Sequence, residues 1–377
     1  MNIDLCRQLC KINKIFYAQR AQSFSSTRLA SWDGWRCLFE SVFSTVATVA
    51  APEVLCGETG SVTSNMPHEQ ARKAPEVLSC GETRKVPREM AHEQAGNAAY
   101  AVSCKQARNA ADTVSRGEAD NVFGRAVVLL DVALGNARFE HALMTQFPNV
   151  NWKFYGVDCC DDLLTSAFEV PVDYTSRDVC EFLYTRLENE AHLAHDVPLN
   201  PGTQLSYEVH LAHDARLSRA ESLKPDDQLC HDAAHLLHPR AVHVDYAVSF
   251  GFMHHIASFE ARALFLQLLC TCVKPGGAVC VSLWQFMKSP RLSEQALRFT
   301  PAACAQYGIA PQHLEQGDYF LSWQNDSQSF RYCHSFSDSE IQRLVECVKL
   351  YAQLECMFYA DGKEGNLNCY LVLRRVV

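Results

Sequence analysis

From residue 126 onward, short apolar runs alternate with stretches in which apolar side chains recur every three or four positions. The short runs, bounded by Gly, Asp or Asn, predict strands at 126–131, 152–158, 207–213, 244–250 and 277–284, with closing strands near 350–360 and 367–375. The helical period predicts helices at 138–147, 161–168, 258–273 and 337–349. Lys274-Pro275-Gly276-Gly277 reads as a helix stop followed by a strand start, and Ser337 with Glu340 three residues on reads as a capping box. Strands and helices in alternation imply an α/β domain of Rossmann-like type, a mainly parallel sheet with helices on both faces.

Upstream the pattern changes twice. FYAQRAQSFSSTRLASWDGW (16–35) is amphipathic and helical to about Ser23, then irregular and aromatic. Beyond it, APEVLCGET (51–59) returns as APEVLSCGET (74–83) and HEQAR (68–72) as HEQAG (92–96), while Cys56, Cys80 and Cys104 stand 24 apart. The unit is thus 24 residues long, in about three copies from Ala51 to Asn121. A solenoid repeat needs an apolar face to offer its neighbour. This one is mostly Ala, Glu, Gln, Arg and Gly, so 51–121 is expected to be an expanded, poorly ordered insertion, with a docking arm as the functional alternative. The remainder, 1–50 and 122–377, then forms one domain.

Composition narrows the class. The chain has 377 residues, 48% of them hydrophobic, enough for one large core or two modest ones. No apolar run approaches the ~20 residues of a membrane helix, and Asp4, Arg7 and Lys11 interrupt any signal-peptide core, so no membrane and a cytoplasmic location are expected. The 18 cysteines are scattered through predicted strands and helices with no C-x-x-C pair, which points to reduced, buried thiols and no zinc ribbon. Eight of the 15 histidines fall between His192 and His243, but no acidic or cysteine ligand accompanies them at a fixed offset, and no metal is expected.

The chemistry concentrates at the strand ends. VVLLDVALGNARF (127–139) is an apolar strand ending on Asp131 and a Gly-containing turn, and FYGVD (154–158) is a second strand ending on Asp158, 27 residues later. Such a turn lets backbone approach a ligand, and an acid at the next strand tip can accept both hydroxyls of a ribose. A dinucleotide dehydrogenase would show G-x-G-x-x-G. Here the loop reads Ala133-Leu134-Gly135-Asn136-Ala137, with no pyrophosphate cradle.

Together with VDYAVSFGFMHH (244–255) and KPGGAVCVSLWQF (274–286), these segments resemble a class I methyltransferase that uses S-adenosylmethionine. FYAQRAQSFSSTR, SFGFMHHI, GDYFLSW (317–323) and RYCHSFSDSEI (331–341) narrow the resemblance to the tRNA methyltransferases that esterify carboxymethyluridine at the wobble position, a domain also fused to an oxygenase in animals. The likeness covers about 1–50 and 122–377. That family's loop reads D-x-G-C-G-N-G-R; this chain keeps Asp131, Gly135, Asn136 and Arg138 but carries Ala133, Leu134 and Ala137 in place of Gly, Cys and Gly. The resemblance implies a cofactor site of Asp131, Ala133, Gly135, Arg138, Asp158 and Ser249, with Asp214 and Ala215 at the tip of strand 207–213 and a duplicate of that motif at Asp196. It also implies an acceptor pocket in which Arg331, with Arg28, and His334 or His255 anchor a carboxylate, Asp318 orienting one of them. A carboxylate is ionised at neutral pH, so its methylation needs alignment and no general base.

Net charge argues the other way, since −9 is not the footprint of an autonomous nucleic-acid binder. Basic residues would have to gather on one face, around Arg28, Arg331 and Arg374-Arg375, or a partner supply them; relatives in eukaryotes work with a small zinc-binding activator subunit. Three readings stand: a tRNA-modifying methyltransferase, a methyltransferase of a small acid or other metabolite, and a non-catalytic cofactor-binding relative whose site the methyl groups of Ala133 and Ala137 obstruct.

Overall fold

Nine strands and seven α-helices are seen in the computed structural model, which describes residues 1–46, 125–164, 169–195, 237, 243–323, 326 and 328–376. The repeats at 51–121, the strand expected at 207–213, and Asp196, Asp214 and Ala215 lie outside the described residues. Seven strands form one sheet: β1 (Val127–Val132), β2 (Trp152–Asp158), β3 (Val172–Ser176), β4 (Val244–Ser249), β5 (Val273–Trp284), β8 (Ala352–Ala360) and β9 (Asn368–Arg375). Their order is β3-β2-β1-β4-β5-β9-β8, parallel from β3 to β5, with β9 antiparallel to both β5 and β8. The expected fold class, Rossmann-like with a mainly parallel sheet, is what the chain adopts.

The apolar runs are continuous because both sheet faces are covered. Alternate residues serve opposite sides: Leu130 and Val132 of β1, with Val279 and Val281 of β5, join a core with α1 (Ile3–Ser26), α4 (Val179–His195), α5 (Phe259–Cys272) and α7 (Asp338–Cys347). Leu129, Val248 and Cys280 face the other way, against α2 (Asp33–Leu38) and α3 (Arg138–Gln146). Gly34 of α2 is required there, because a Cβ would lie 2.2 Å from the Tyr370 ring.

Several boundaries differ from the sequence reading. The helix expected at 161–168 is a single 3-10 turn at Asp161–Leu163, residues 165–168 lying outside the description. Lys274-Pro275-Gly276-Gly277 lies inside β5, at a register shift against β4, with Gly276 in the left-handed region. Ser337 accepts the Glu340 amide, but the Glu340 carboxylate turns to other partners, leaving the capping box half made. Helix α1 ends at Ser26, three residues beyond the expected change at Ser23, and 27–32 are irregular before α2 begins at Asp33. Strand β3, helix α4 and helix α6 (Pro290–Tyr307) were not foreseen; Pro301 inside α6 is the residue that masks it. The remaining strands, β6 (Asp318–Ser322) and β7 (Phe330–His334), form a separate antiparallel hairpin against α6 and α1.

Candidate active site

The chain runs outward from β1 to β3 and returns to lay β4 on the other side of β1, so a crevice opens at the carboxyl ends of β1 and β4. A cavity of about 1280 Å³ occupies it, lined by the loop after β1, the tip of β2, the segment after β4, and residues of α1, β5 and β7.

At the sheet edge the lining is acidic. Asp158, buried at the tip of β2, accepts the amides of Gly135 (2.9 Å) and Cys160 (3.0 Å). Each carboxylate oxygen has a second lone pair, so the group can still accept hydroxyls from the cavity. Below it, Asp131 and Glu140 are both buried, and no donor reaches Asp131 Oδ1 or either oxygen of Glu140. Burial, followed by the Glu140 charge, holds the Asp131 carboxyl well above its usual range, and burial raises Glu140 to about 7. One proton held between the two carboxyls would supply the missing donor.

The loop between β1 and α3 carries its departure from the glycine pattern as backbone strain. Ala133 has φ 69° and Ala137 φ 57°, the left-handed region where a Cβ costs about 1–2 kcal/mol. The loop therefore keeps a glycine-type conformation at two positions that carry alanine, on either side of Gly135 (φ 60°). Asn136 secures it by donating to the Arg28 carbonyl (3.1 Å), joining the loop to the end of α1. Ala133 and Gly135 line the cavity.

Across the cavity the charge reverses. Arg331 of β7 is buried, lies near the rings of Phe16 (5.7 Å) and Trp284 (5.6 Å), and donates through Nη1 to the Tyr17 hydroxyl (3.0 Å), while its Nε has no partner. Arg28 packs over Phe24 (4.7 Å), and no carboxylate pairs with either guanidinium among the described residues. Burial and then repulsion from Arg331 lower the pKa of Arg28; burial and then Arg28 push Arg138, set over Trp32 and Trp35, down to about 10. His254 adds a buried Nδ1 without a partner.

The Tyr17 oxygen accepts from Arg331, so its O–H donates to His255 Nε2 (2.8 Å), and His255 Nδ1 donates to the Tyr332 carbonyl (3.1 Å). Burial first and Arg331 second push His255 down to about 3, and the same two causes, with the His255 ring, hold His254 well below its usual value. Both cavity histidines are neutral at pH 7. Asn13 of α1 clasps Tyr332, accepting its amide (2.8 Å) and donating to its carbonyl (3.1 Å), which fixes α1 against β7.

The structure thus brings Asp131, Ala133, Gly135, Arg138, Asp158, Arg28, His255 and Arg331 to one cavity. It removes three others. His334 stands three residues after Arg331 on a strand, and an odd separation puts it on the opposite face. There it is clamped between Asp318 (2.7 Å) and Glu340 (2.6 Å), with Arg262 bonded to Glu340 (3.0 Å) and Glu315 (2.9 Å). Burial and Arg262 push the His334 pKa down, but the two carboxylate bonds prevail and hold it raised, so His334 and Asp318 are members of a buried ionic cluster and do not line the cavity. Asp318 does orient His334, as expected, away from the cavity. Ser249 is also displaced: its hydroxyl donates to the Val132 carbonyl (2.8 Å), linking β4 to β1 outside the cavity lining. Sequence reasoning missed Asn13, Tyr17 and His254; Tyr17 lies within the FYAQR segment that had suggested the family, and His254 in the His254-His255 pair.

No family model matches this sequence, and no curated protein matches it. Among solved structures it is similar to an S-adenosylmethionine-dependent methyltransferase of Methanosarcina mazei (10% identity over 66% of this chain and 92% of the other, TM-score 0.38). It is also similar to one of Clostridium acetobutylicum (9%, 66% and 84%, TM-score 0.35) and to the 1,6-didemethyltoxoflavin N1-methyltransferase of Burkholderia thailandensis (12%, 67% and 73%, TM-score 0.33). These likenesses concern the fold alone.

Proposed function

We propose that this chain is an S-adenosylmethionine-dependent methyltransferase whose acceptor is a carboxylate. The observation that carries the reading is Arg331, a buried guanidinium lining the cavity with an unpartnered Nε and, among the described residues, no acidic counterpart, beside a second arginine, Arg28, that likewise has none among them. Buried cations without partners are costly. An anion bound between them would relieve both the desolvation and the repulsion.

The cofactor would suit the opposite end. Asp158 would accept the ribose hydroxyls, and the backbone around Ala133 and Gly135 would meet the rest of the molecule over the buried Asp131. When bound, its sulfonium supplies an activated methyl group. Arg331 and Arg28 would hold the acceptor carboxylate in line, and the chain through Tyr17 and His255 would fix the plane of the Arg331 fork. No proton has to leave an ionised carboxylate. Two histidines held neutral suit a pocket that positions an anion and does not deprotonate it.

For the acceptor itself, we favour carboxymethyluridine at the tRNA wobble position, with phosphate contacts from a small activator subunit as a further element of that reading. A small planar acid is the second reading, favoured by one observation: Arg374 pairs with Glu355 (2.6 Å) and Arg375 donates to the Thr271 carbonyl (2.9 Å), both at the amino-terminal side of β5, so they do not extend a basic surface from Arg28. Incubating the protein and labelled cofactor with carboxymethyluridine-containing tRNA or with free aromatic acids, then analysing nucleosides and small products by mass spectrometry, separates the two. Calorimetry at millimolar cofactor that shows no binding would leave only the non-catalytic relative.

A further inference from the structure

Two groups of metal-ligating side chains lie in or beside the cavity, and their electrostatic surroundings have opposite sign. His254, His255 and Cys333 present ligand atoms within 4.8 Å of one another, but burial, with Arg331 beside them, depresses both imidazoles, and both nitrogens of His255 are already bonded to Tyr17 and Tyr332. A cation there would be repelled. Cys10, Asp178 and Cys180 also converge within 4.8 Å, at the acidic end beyond Asp158. Cys10 comes from α1, Asp178 caps α4 by accepting the Glu181 amide (3.1 Å), and Cys180 stands in the first turn of α4.

We propose that Cys10, Cys180 and Asp178 form a zinc site in the cavity wall, pinning α1 to the start of α4. Two thiolates and a carboxylate oxygen are a donor set suited to tetrahedral Zn²⁺, whose sulfur ligands stand about 3.8 Å apart at ordinary bond lengths. The observed separations need to close by at most about 1 Å. Cys10 Sγ already lies 4.0 Å from Asp178 Oδ1; Lys14 occupies the other oxygen at 3.0 Å, and Oδ1, which accepts the Glu181 amide, keeps a second lone pair for the metal. The fourth position opens onto the cavity and takes a water. Without metal the group is a set of would-be anions: a hydrogen bond to Cys10, then burial, then the neighbouring charges hold the Cys180 thiol up. Binding releases two thiol protons to solvent as two Zn–S bonds form, with no change of oxidation state.

The experiment uses the full chain, reduced and stripped of metal. Titration with Co²⁺ is expected to give a thiolate-to-metal charge-transfer band and tetrahedral ligand-field bands saturating at one equivalent, both erased by Zn²⁺. The C10S/C180S variant should lack that equivalent. Because this variant could fail to fold, alkylation of the wild-type protein followed by peptide mass spectrometry serves as the second measurement: Zn²⁺ should slow labelling of Cys10 and Cys180 at least tenfold and leave Cys37 on α2 unaffected. Cobalt spectra unchanged in a folded C10S/C180S protein, or no protection of Cys10 and Cys180 by Zn²⁺, would overturn the site. Neither measurement depends on methyl transfer.

Discussion

The two ends of the cavity are built on different principles. At the sheet edge the functional groups sit on strand tips, the loop after β1 and the first turn of α3, and the chemistry is acidic: Asp158 is held by backbone amides, and Asp131 faces Glu140 with both carboxyls raised by burial. At the far end the groups come from α1, β7 and the segment after β4, and the chemistry is cationic: Arg28 and Arg331 beside two neutral histidines. The acidic end satisfies itself internally. The cationic end, among the described residues, does not, and on the proposed reading it is this end that takes the anionic acceptor.

The sharpest way to break this contrast is to remove the unpaired cation. Arg331→Ala is expected to lower kcat/KM for a carboxylate acceptor by roughly 100-fold or more, while cofactor affinity, set at the other end, stays within about twofold. Arg331→Lys should recover only a small part, since a point charge replaces a planar fork. The pH–rate profile should show no basic limb near pH 6–7, because His255 titrates near 3. Methylation that survives Arg331→Ala, or that follows the deprotonation of one histidine, would remove the carboxylate assignment.

A second test separates the cavity from the ionic cluster behind it. His334→Ala leaves Asp318 and Glu340 as buried carboxylates without their shared cation, and should destabilise the fold by about 3–5 kcal/mol in chemical denaturation. Its folded pKa is raised, so the stability it contributes is complete below its unfolded value of about 6.5 and is lost as the pH rises through the folded value. A wild-type melting temperature in His334→Ala, combined with lost activity, would return His334 to the acceptor pocket.

The carboxyl pair predicts a gradient peculiar to the acidic end. Glu140 keeps its proton to about pH 7 in the fold but releases it near 4.5 when unfolded, so the unfolded state binds fewer protons across that window and stability falls as pH rises through it. Glu140→Gln should flatten this fall, raising stability at pH 8 relative to pH 5 by about 1–3 kcal/mol. Denaturation midpoints at the two pH values measure it; parallel shifts of wild type and variant would show that no proton is held there.

The smallest expected effect concerns the loop. Ala133→Gly and Ala137→Gly should each stabilise by about 0.5–1 kcal/mol, the left-handed penalty less the extra freedom of glycine in the unfolded chain. Cofactor titration calorimetry should show tighter binding if the strained loop opposes the guest, and no change if the alanine methyls stand clear of it.

Much of the acidic end could be read in the chain because it is local. A strand terminates, a turn of small residues follows, and an acid marks the next tip, so Asp131, Gly135 and Asp158 are placed by their own segments. Even the strain at Ala133 and Ala137 follows from comparing the loop with a glycine pattern. The cationic end is assembled from pieces hundreds of residues apart, Tyr17 with Arg331 and Asn13 with Tyr332, and only the packing of α1 on β7 brings them together.

Helix α6 hid behind Pro301, a residue that removes one backbone donor from the helix interior. His334 and Ser249 show the other limit. Both occupy motifs that promised chemistry, yet the alternation of side chains along β7 and the ladder between β4 and β1 send them elsewhere. Period and turn chemistry, properties of neighbouring residues, were determined by the sequence alone: β1, β2, β4, β5, β8 and β9, the sheet class, and the acids that end β2 and lie near the end of β1. Which side chains face a common space, and which buried charges lack a partner, depends on contacts between distant segments and was decided only by the tertiary structure.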